Sequence, residues 1–124
     1  LQLFDFPLNF VLLNEQLGKI KGIEVPIEEK NCRHVYQMYT IKVDKKIDRN
    51  AFVKKLNENG IQASVHFYPP VHLQPAYLKN GWKSRELKVT EEVSKRIVTL
   101  PMYPQLSKEE LDFIVENVKE TVTI

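Results

Sequence analysis

The sequence predicts an α+β two-layer sandwich: a three- to four-stranded, mainly antiparallel sheet with helices on one face. Three observations lead there. Segments 33–43 and 61–67 alternate with the period-two pattern of strands. Capped segments with apolar residues at helical spacing follow them. The resulting order, strand, helix, strand, loop and helix, strand, helix, suits two layers rather than a bundle or a barrel.

Residues 1–13 are the least regular part. Leu3, Phe4, Phe6, Leu8 and Phe10 alternate loosely, and Pro7 argues against a helix interior. A helix is expected from about Asn9, with Leu12, Leu13 and Leu17 on one face and Gly18 as its stop. Residues 22–31 read as a polar connector around Pro26. The first strand, RHVYQMYTIKV (33–43), is apolar on much of both faces, so a central place in the sheet is expected. Its alternation puts Tyr36 and Tyr39 on opposite faces.

Asp48 is placed to cap a helix bearing Ala51, Phe52, Val53 and Leu56, and Asn59-Gly60 is placed to end it. Residues 61–67 are the second strand, closed by Pro69-Pro70, neither of which can donate to a ladder. Residues 74–81 suggest a short helix or turn. Thr90-Glu91-Glu92 starts a helix with acids at its positive end, running to about Arg96. Residues 97–100 form a short strand stopped by Pro101. Ser107 and Glu110 have the spacing of a capping box. Leu111, Ile114, Val115, Val118 and Val122 then make the apolar stripe of the last helix.

Composition bounds the function. The 124 residues suffice for one domain, 43% hydrophobic and 27% charged, which excludes a disordered chain. Four Gly and one Cys exclude a collagen-like fibre and a disulfide scaffold. Eighteen basic and 16 acidic side chains leave a net charge of +2, too small to demand nucleic acid or an anionic membrane. The apolar stretch within 1–13 is too interrupted to span a bilayer and has no basic leader. With the single Cys32, read as a bystander thiol, this points to the cytoplasm. The chain opens without Met inside an apolar pattern and is expected to be part of something longer.

Catalytic motifs are scarce. The glycines stand alone at 18, 22, 60 and 81, so no phosphate loop is formed, and there is no paired-Cys or HExxH metal motif. The basic residues fall into two windows. One holds Lys42, Lys45, Lys46, Arg49, Lys54 and Lys55; the other holds Lys79, Lys83, Arg85 and Lys88. Both read as solvated faces. One stretch concentrates chemistry: HFYPPVHLQPAY, residues 66–77. Pro69 and Pro70 stiffen a loop that gathers His66, Tyr68, His72 and Gln74, groups able to line a polar ligand site. As metal ligands, His66 and His72 lack a third partner, so no metal is expected.

Together, GIQASVHFYPPVHLQPAY (60–77), TEEVSKRIVTLPMYP (90–104) and LSKEELDFIVENV (106–118) resemble the C-terminal small domain of the DegT–DnrJ–StrS family. These are pyridoxal-phosphate-dependent nucleotide-sugar aminotransferases of the type I aspartate-aminotransferase fold. The likeness covers about residues 14–121, leaving 1–13 as a segment of unassigned structure. It implies a substrate-closing domain whose parent makes amino sugars for surface polysaccharide or related glycans. In that family the cofactor-bearing lysine lies in a larger domain that is absent here. Pyridoxal phosphate is therefore expected in the full-length parent and not in this fragment, which alone is expected to be inactive. No catalytic residue is assigned. The resemblance implies that His66 reaches the substrate, and less directly that Tyr68, His72 and Gln74 do. It further implies a nucleotide-sugar substrate, glutamate as amino donor and a homodimeric parent, with no nucleic-acid or membrane partner. The same domain in a sugar dehydratase, or a stand-alone α+β binding module, are the alternative readings.

Overall fold

The computed structural model describes residues 6–80 and 86–123, with the backbone alone for 6–8. Helix α1 (Phe6–Leu17) begins three residues before the expected Asn9. Pro7 is tolerated because it falls in the first turn, where its missing amide has no partner to lose. The helix runs without interruption through residue 13, and Gly18 N–H closes it on the Asn14 carbonyl at 3.0 Å. Leu13 and Leu17 are fully buried.

The sheet has three strands in the order β1-β2-β3, with both pairings antiparallel. Strand β1 (Ile23–Glu24) lies inside the stretch expected to be a connector. Two residues are too few for a periodicity to register. Gly22, at φ 94°, turns the chain into it, with a conformation that favours glycine. Strand β2 (Tyr39–Val43) is central, as expected, but covers only the end of the 33–43 segment. The reason lies at Tyr36, whose φ of 48° breaks the extended run while its N–H donates to His34 Nδ1 at 2.8 Å. That reversal corrects the expected placement of the two tyrosines. Tyr36 turns inward beside Tyr39, with ring centroids 6.2 Å apart and both side chains buried.

Helix α2 (Arg49–Glu58) starts at Asp48 as expected, its carboxylate accepting from the Asn50 and Ala51 amides. Gly60, at φ 88°, carries the chain out. Residues 61–67 do not form a regular strand. They touch the sheet at one point, where Ser64 and Thr99 exchange N–H···O bonds of 3.0 and 2.8 Å. The Ala63 N–H is spent on the Ile61 carbonyl at 2.7 Å, so it is not offered to the ladder. A 3-10 turn (Val71–Leu73), α3 (Pro75–Lys79) and α4 (Lys88–Ser94) follow. Helix α4 starts two residues earlier than the Thr90 signal. Strand β3 (Ile97–Leu100) has the expected bounds. Helix α5 (Lys108–Val122) carries the complete Ser107–Glu110 capping box.

Register divides the sheet into two faces. The pairs Tyr39–Leu100 and Ile41–Val98 alternate with Thr40–Thr99 and Lys42–Ile97. Tyr39, Ile41, Val98 and Leu100 share one core with Leu13 and Leu17 of α1, Phe52 and Leu56 of α2, and the Leu111–Val118 stripe of α5. Helices α1, α2 and α5 therefore cover one face, and a row of hydroxyl groups marks the other. At the end of that outer face, Arg96 donates to the Val43 carbonyl at 2.7 Å and pairs with Glu24 and Glu92. Lys42 and Lys45 complete the ionic group, on Glu24 at 2.6 Å and Glu92 at 3.2 Å.

Candidate functional site

The stiff loop predicted at 66–77 leaves the sheet next to that hydroxyl row. Ser64 lies opposite Thr99, and His66, two residues on, returns to the same side. Its Nδ1 lies 3.3 Å from Ser64 Oγ and 3.3 Å from Thr99 Oγ1. Thr99 Oγ1 in turn is 3.2 Å from Thr40 Oγ1 on β2. His66 is half-buried. Beyond it the chain turns outward. Phe67 is 70% exposed and Tyr68 53% exposed, with the His66 and Phe67 rings meeting edge to face at 5.6 Å. The His66–Phe67 and Tyr68–Pro69 peptide bonds are both cis.

Tyr68 lies under a guanidinium. Arg49 Cζ sits 5.1 Å from the Tyr68 ring centroid, within the range of a cation–π contact. Arg49 is only 7% exposed, a correction to its reading as part of a solvated basic face. It donates to Asn50 Oδ1 at 2.9 Å and to the Ser94 and Ile97 carbonyls at 3.2 and 3.3 Å. One side chain thus ties α2, the end of α4 and the start of β3 to the loop. Lys42, Lys45 and Lys54 of the same window form ion pairs with glutamates, in keeping with the solvated reading. In the second window, Lys83 and Arg85 lie outside the described residues, as does Gly81.

His72 and Gln74 use their polar groups on the frame of the loop. His72 Nε2 is 3.0 Å from Glu91 Oε1 on α4. Glu91 also accepts from the Leu87 amide at 3.1 Å. The His72 contact first, and that amide second, hold the Glu91 carboxyl below the usual glutamate range. Gln74 Nε2 donates to the Pro69 carbonyl at 2.7 Å, cross-bracing the two ends of the proline turn. The four sequence-predicted residues therefore share one loop but do not converge on one point. His66 leans on the sheet, Tyr68 faces outward, and His72 and Gln74 hold the backbone between them.

Sequence reasoning missed Arg49, Thr99, Thr40 and Glu91. A local signal existed for Thr99 and Thr40, since the outward place of each in the alternation of its strand leaves a hydroxyl beside whatever strand pairs there.

Clefts open on both sides of α5 and against β2. One, of about 820 Å³, lies between α2 and the end of α5 and includes Lys46, Phe52, Lys55 and Thr121. A second, of about 600 Å³, separates α1 from α5 at Gln16, Ile20, Val115 and Lys119. The third, of about 350 Å³, lies against β2 and is lined by Pro26, His34, Val35, Gln37, Met38 and Thr40. His66 lines none of these three, but it is joined to the third through Thr99 and Thr40. Among the described residues, no group of three His, Cys, Asp or Glu side chains could hold a metal ion. None of the described helices is long and apolar enough to cross a membrane.

The chain is similar in sequence and fold to known proteins. The sequence model of the DegT/DnrJ/EryC1/StrS aminotransferase family matches residues 8–119. The spore coat polysaccharide biosynthesis protein SpsC of Bacillus subtilis is 33% identical over 109 residues, covering 84% of this chain and 28% of its own length. The dTDP-3-amino-3,6-dideoxy-alpha-D-galactopyranose transaminase of Aneurinibacillus thermoaerophilus is 31% identical over 96 residues, 77% of this chain and 25% of its own. Among solved structures, NtdA of Bacillus subtilis with bound cofactor PMP superposes with a TM-score of 0.84 at 26% identity, covering 98% of this chain and 28% of its own. The chain thus spans less than a third of the length of these relatives.

Proposed function

Because the chain belongs to the DegT/DnrJ/EryC1/StrS aminotransferase family, we propose that it is the C-terminal small domain of a nucleotide-sugar aminotransferase and closes over the substrate. The parent would act in amino-sugar and surface-polysaccharide biosynthesis. In this reading glutamate is the amino donor and the parent is a homodimer. The observation that carries the reading is the loop itself. Beside His66 it exposes Phe67, Tyr68 and Val71, while hydrogen bonds to Thr99, to Glu91 and within the loop hold the segment that bears them. An apolar edge fixed in place and left uncovered suits a surface that meets something larger. The relatives named for polysaccharide biosynthesis and for a dTDP-sugar transaminase supply the class of substrate.

The lysines whose partners are defined do not fit the covalent anchor of pyridoxal phosphate. Lys42, Lys45, Lys54, Lys88 and Lys108 each pair with a carboxylate at the surface. The cofactor supplies the electron sink for transamination, and in this reading chain outside these 124 residues holds it. This chain's share is binding and exclusion. His66 offers a ring nitrogen to an oxygen of the sugar nucleotide. Tyr68, steadied by Arg49, and Phe67 shield the bound substrate from water. His72 and Gln74 hold the loop in register.

The test is His66→Ala in the full-length parent. The expected result is a higher KM for the nucleotide sugar and a lower kcat/KM, with melting temperature little changed. Normal kinetics in a variant of collapsed stability would make His66 a structural residue and overturn the assignment.

A further inference from the structure

We infer that Thr99, braced by Thr40, orients His66, holding Nδ1 against the sheet so that Nε2 is the nitrogen presented to the sugar nucleotide. The inference rests on the reading of His66 as a substrate contact and assigns Thr99 and Thr40 as its positioning residues.

The register makes the arrangement. Thr40 lies opposite Thr99 on β2, and Ser64 lies opposite Thr99 on its other side. Three hydroxyl-bearing residues therefore stand in one row across the sheet, all on the face opposite α1, α2 and α5. His66, two residues beyond Ser64, lowers its ring onto the end of that row. Nδ1 meets Ser64 Oγ and Thr99 Oγ1 at 3.3 Å each, and Thr99 Oγ1 meets Thr40 Oγ1 at 3.2 Å. Among the described residues the hydrogen bonds of the ring are made by Nδ1, and none engages Nε2.

Thr99 is the fixed member of the row. It is only 8% exposed, its backbone is bonded to Ser64 in both directions, and its branched side chain has restricted χ1 freedom. Ser64 and Thr40 are more open.

The chemistry of a hydroxyl matters here. A carboxylate behind a histidine fixes the proton on the facing nitrogen and favours the charged ring. A hydroxyl both donates and accepts, so it complements Nδ1 with or without its proton. The Thr99–Thr40 pair thus fixes where the ring points without fixing its charge. Nε2 is left able to donate to a phosphate or hydroxyl oxygen, or to accept from a sugar hydroxyl.

The experiment uses the full-length parent with Thr99→Val, Thr99→Ser, Thr40→Val and His66→Ala. Removing the Thr99 hydroxyl is expected to raise KM for the nucleotide sugar about three- to tenfold, the size of one neutral hydrogen bond, with kcat within about twofold. Thr99→Ser should restore KM. Thr40→Val should shift KM in the same direction by less. In ¹⁵N-histidine spectra, Thr99→Val should move the His66 Nδ1 resonance while the other histidines stay in place. That readout responds to ring orientation and not to a general loss of stability. If Thr99→Val does not fold, Thr40→Val carries the test by the same two readouts. Unchanged KM and an unmoved Nδ1 resonance overturn the inference. If they do so while His66→Ala still raises KM, the substrate-contact reading stands alone. If His66→Ala leaves KM unchanged, that reading falls too.

Discussion

Asn14 stands where three segments of the chain meet. Its Oδ1 accepts from the Tyr39 hydroxyl at 2.6 Å, and its amide reaches the Pro26 carbonyl at 3.4 Å. Tyr39 is fully buried, and burial first, with Tyr36 beside it second, pushes its phenol well above the ordinary value. Asn14→Ala would leave that hydroxyl without its acceptor, at a cost of about 1–3 kcal/mol. Urea unfolding measures it, and Tyr39→Phe in the same chain should recover part of the loss because the stranded donor goes with it. None of this could be read from the sequence, since Asn14 and Tyr39 are 25 residues apart and nothing local marks either. Asp48 was legible because its partners, the Asn50 and Ala51 amides, are two and three residues away. Arg49, the next residue, was not. It contacts Ser94, Ile97 and Tyr68, which only the finished fold brings near, so its charge suggested solvent where the structure has burial.

Helix α5 shows how far local chemistry specifies an element. Ser107 Oγ accepts from the Glu110 amide at 3.2 Å, and Glu110 Oε2 accepts from the Ser107 amide at 2.8 Å. Ser107→Ala removes half of that exchange and should destabilise the fold by about 1 kcal/mol. A melting temperature lower by a few degrees checks it, with Ser107→Asp as the control that keeps the cap. Elements that depend on pairing were harder to read. Residues 97–100 form the expected strand because Pro101 ends it locally. Residues 61–67 have the alternation of a strand and place Ser64 and His66 on one side as that pattern implies. Yet one of their amides is spent within the segment, and only Ser64 reaches a partner strand. Alternation records which way side chains point, whereas a ladder needs a neighbour with free groups in register. The loop was legible as a stiff, polar-bearing unit from its prolines and histidines, but the division of labour among its four residues depended on Thr99 and Glu91, both far along the chain.

At the scale of the molecule, α1, α2 and α5 fill one side of the sheet and polar chemistry occupies the other. The ionic group around Arg96 makes that outer side sensitive to acid. The Lys42 contact first, then Arg96, holds Glu24 below its ordinary value of 4.5; Arg96 and then Lys45 do the same for Glu92. Carboxyls depressed in the folded state contribute stability that is fully present above their unfolded values and is lost as pH falls through the folded ones. Melting temperature should therefore hold steady near neutrality and decline below about pH 4.5. Tyr39 sets the opposite limit. A phenol raised in the folded state stabilises below its ordinary value of 10.0 and ceases to do so as pH climbs beyond it. Melts followed across both ranges, repeated with Glu24→Gln and Tyr39→Phe, separate the two ends. The bracing of the loop at both of its shoulders also has a bearing on selectivity. In the role proposed for it, a rim whose backbone is already committed to hydrogen bonds would not remould itself around a new guest and would discriminate by shape. Its repertoire would then widen through exchanges at the exposed side chains of Phe67, Tyr68 or Val71 rather than through movement of the frame.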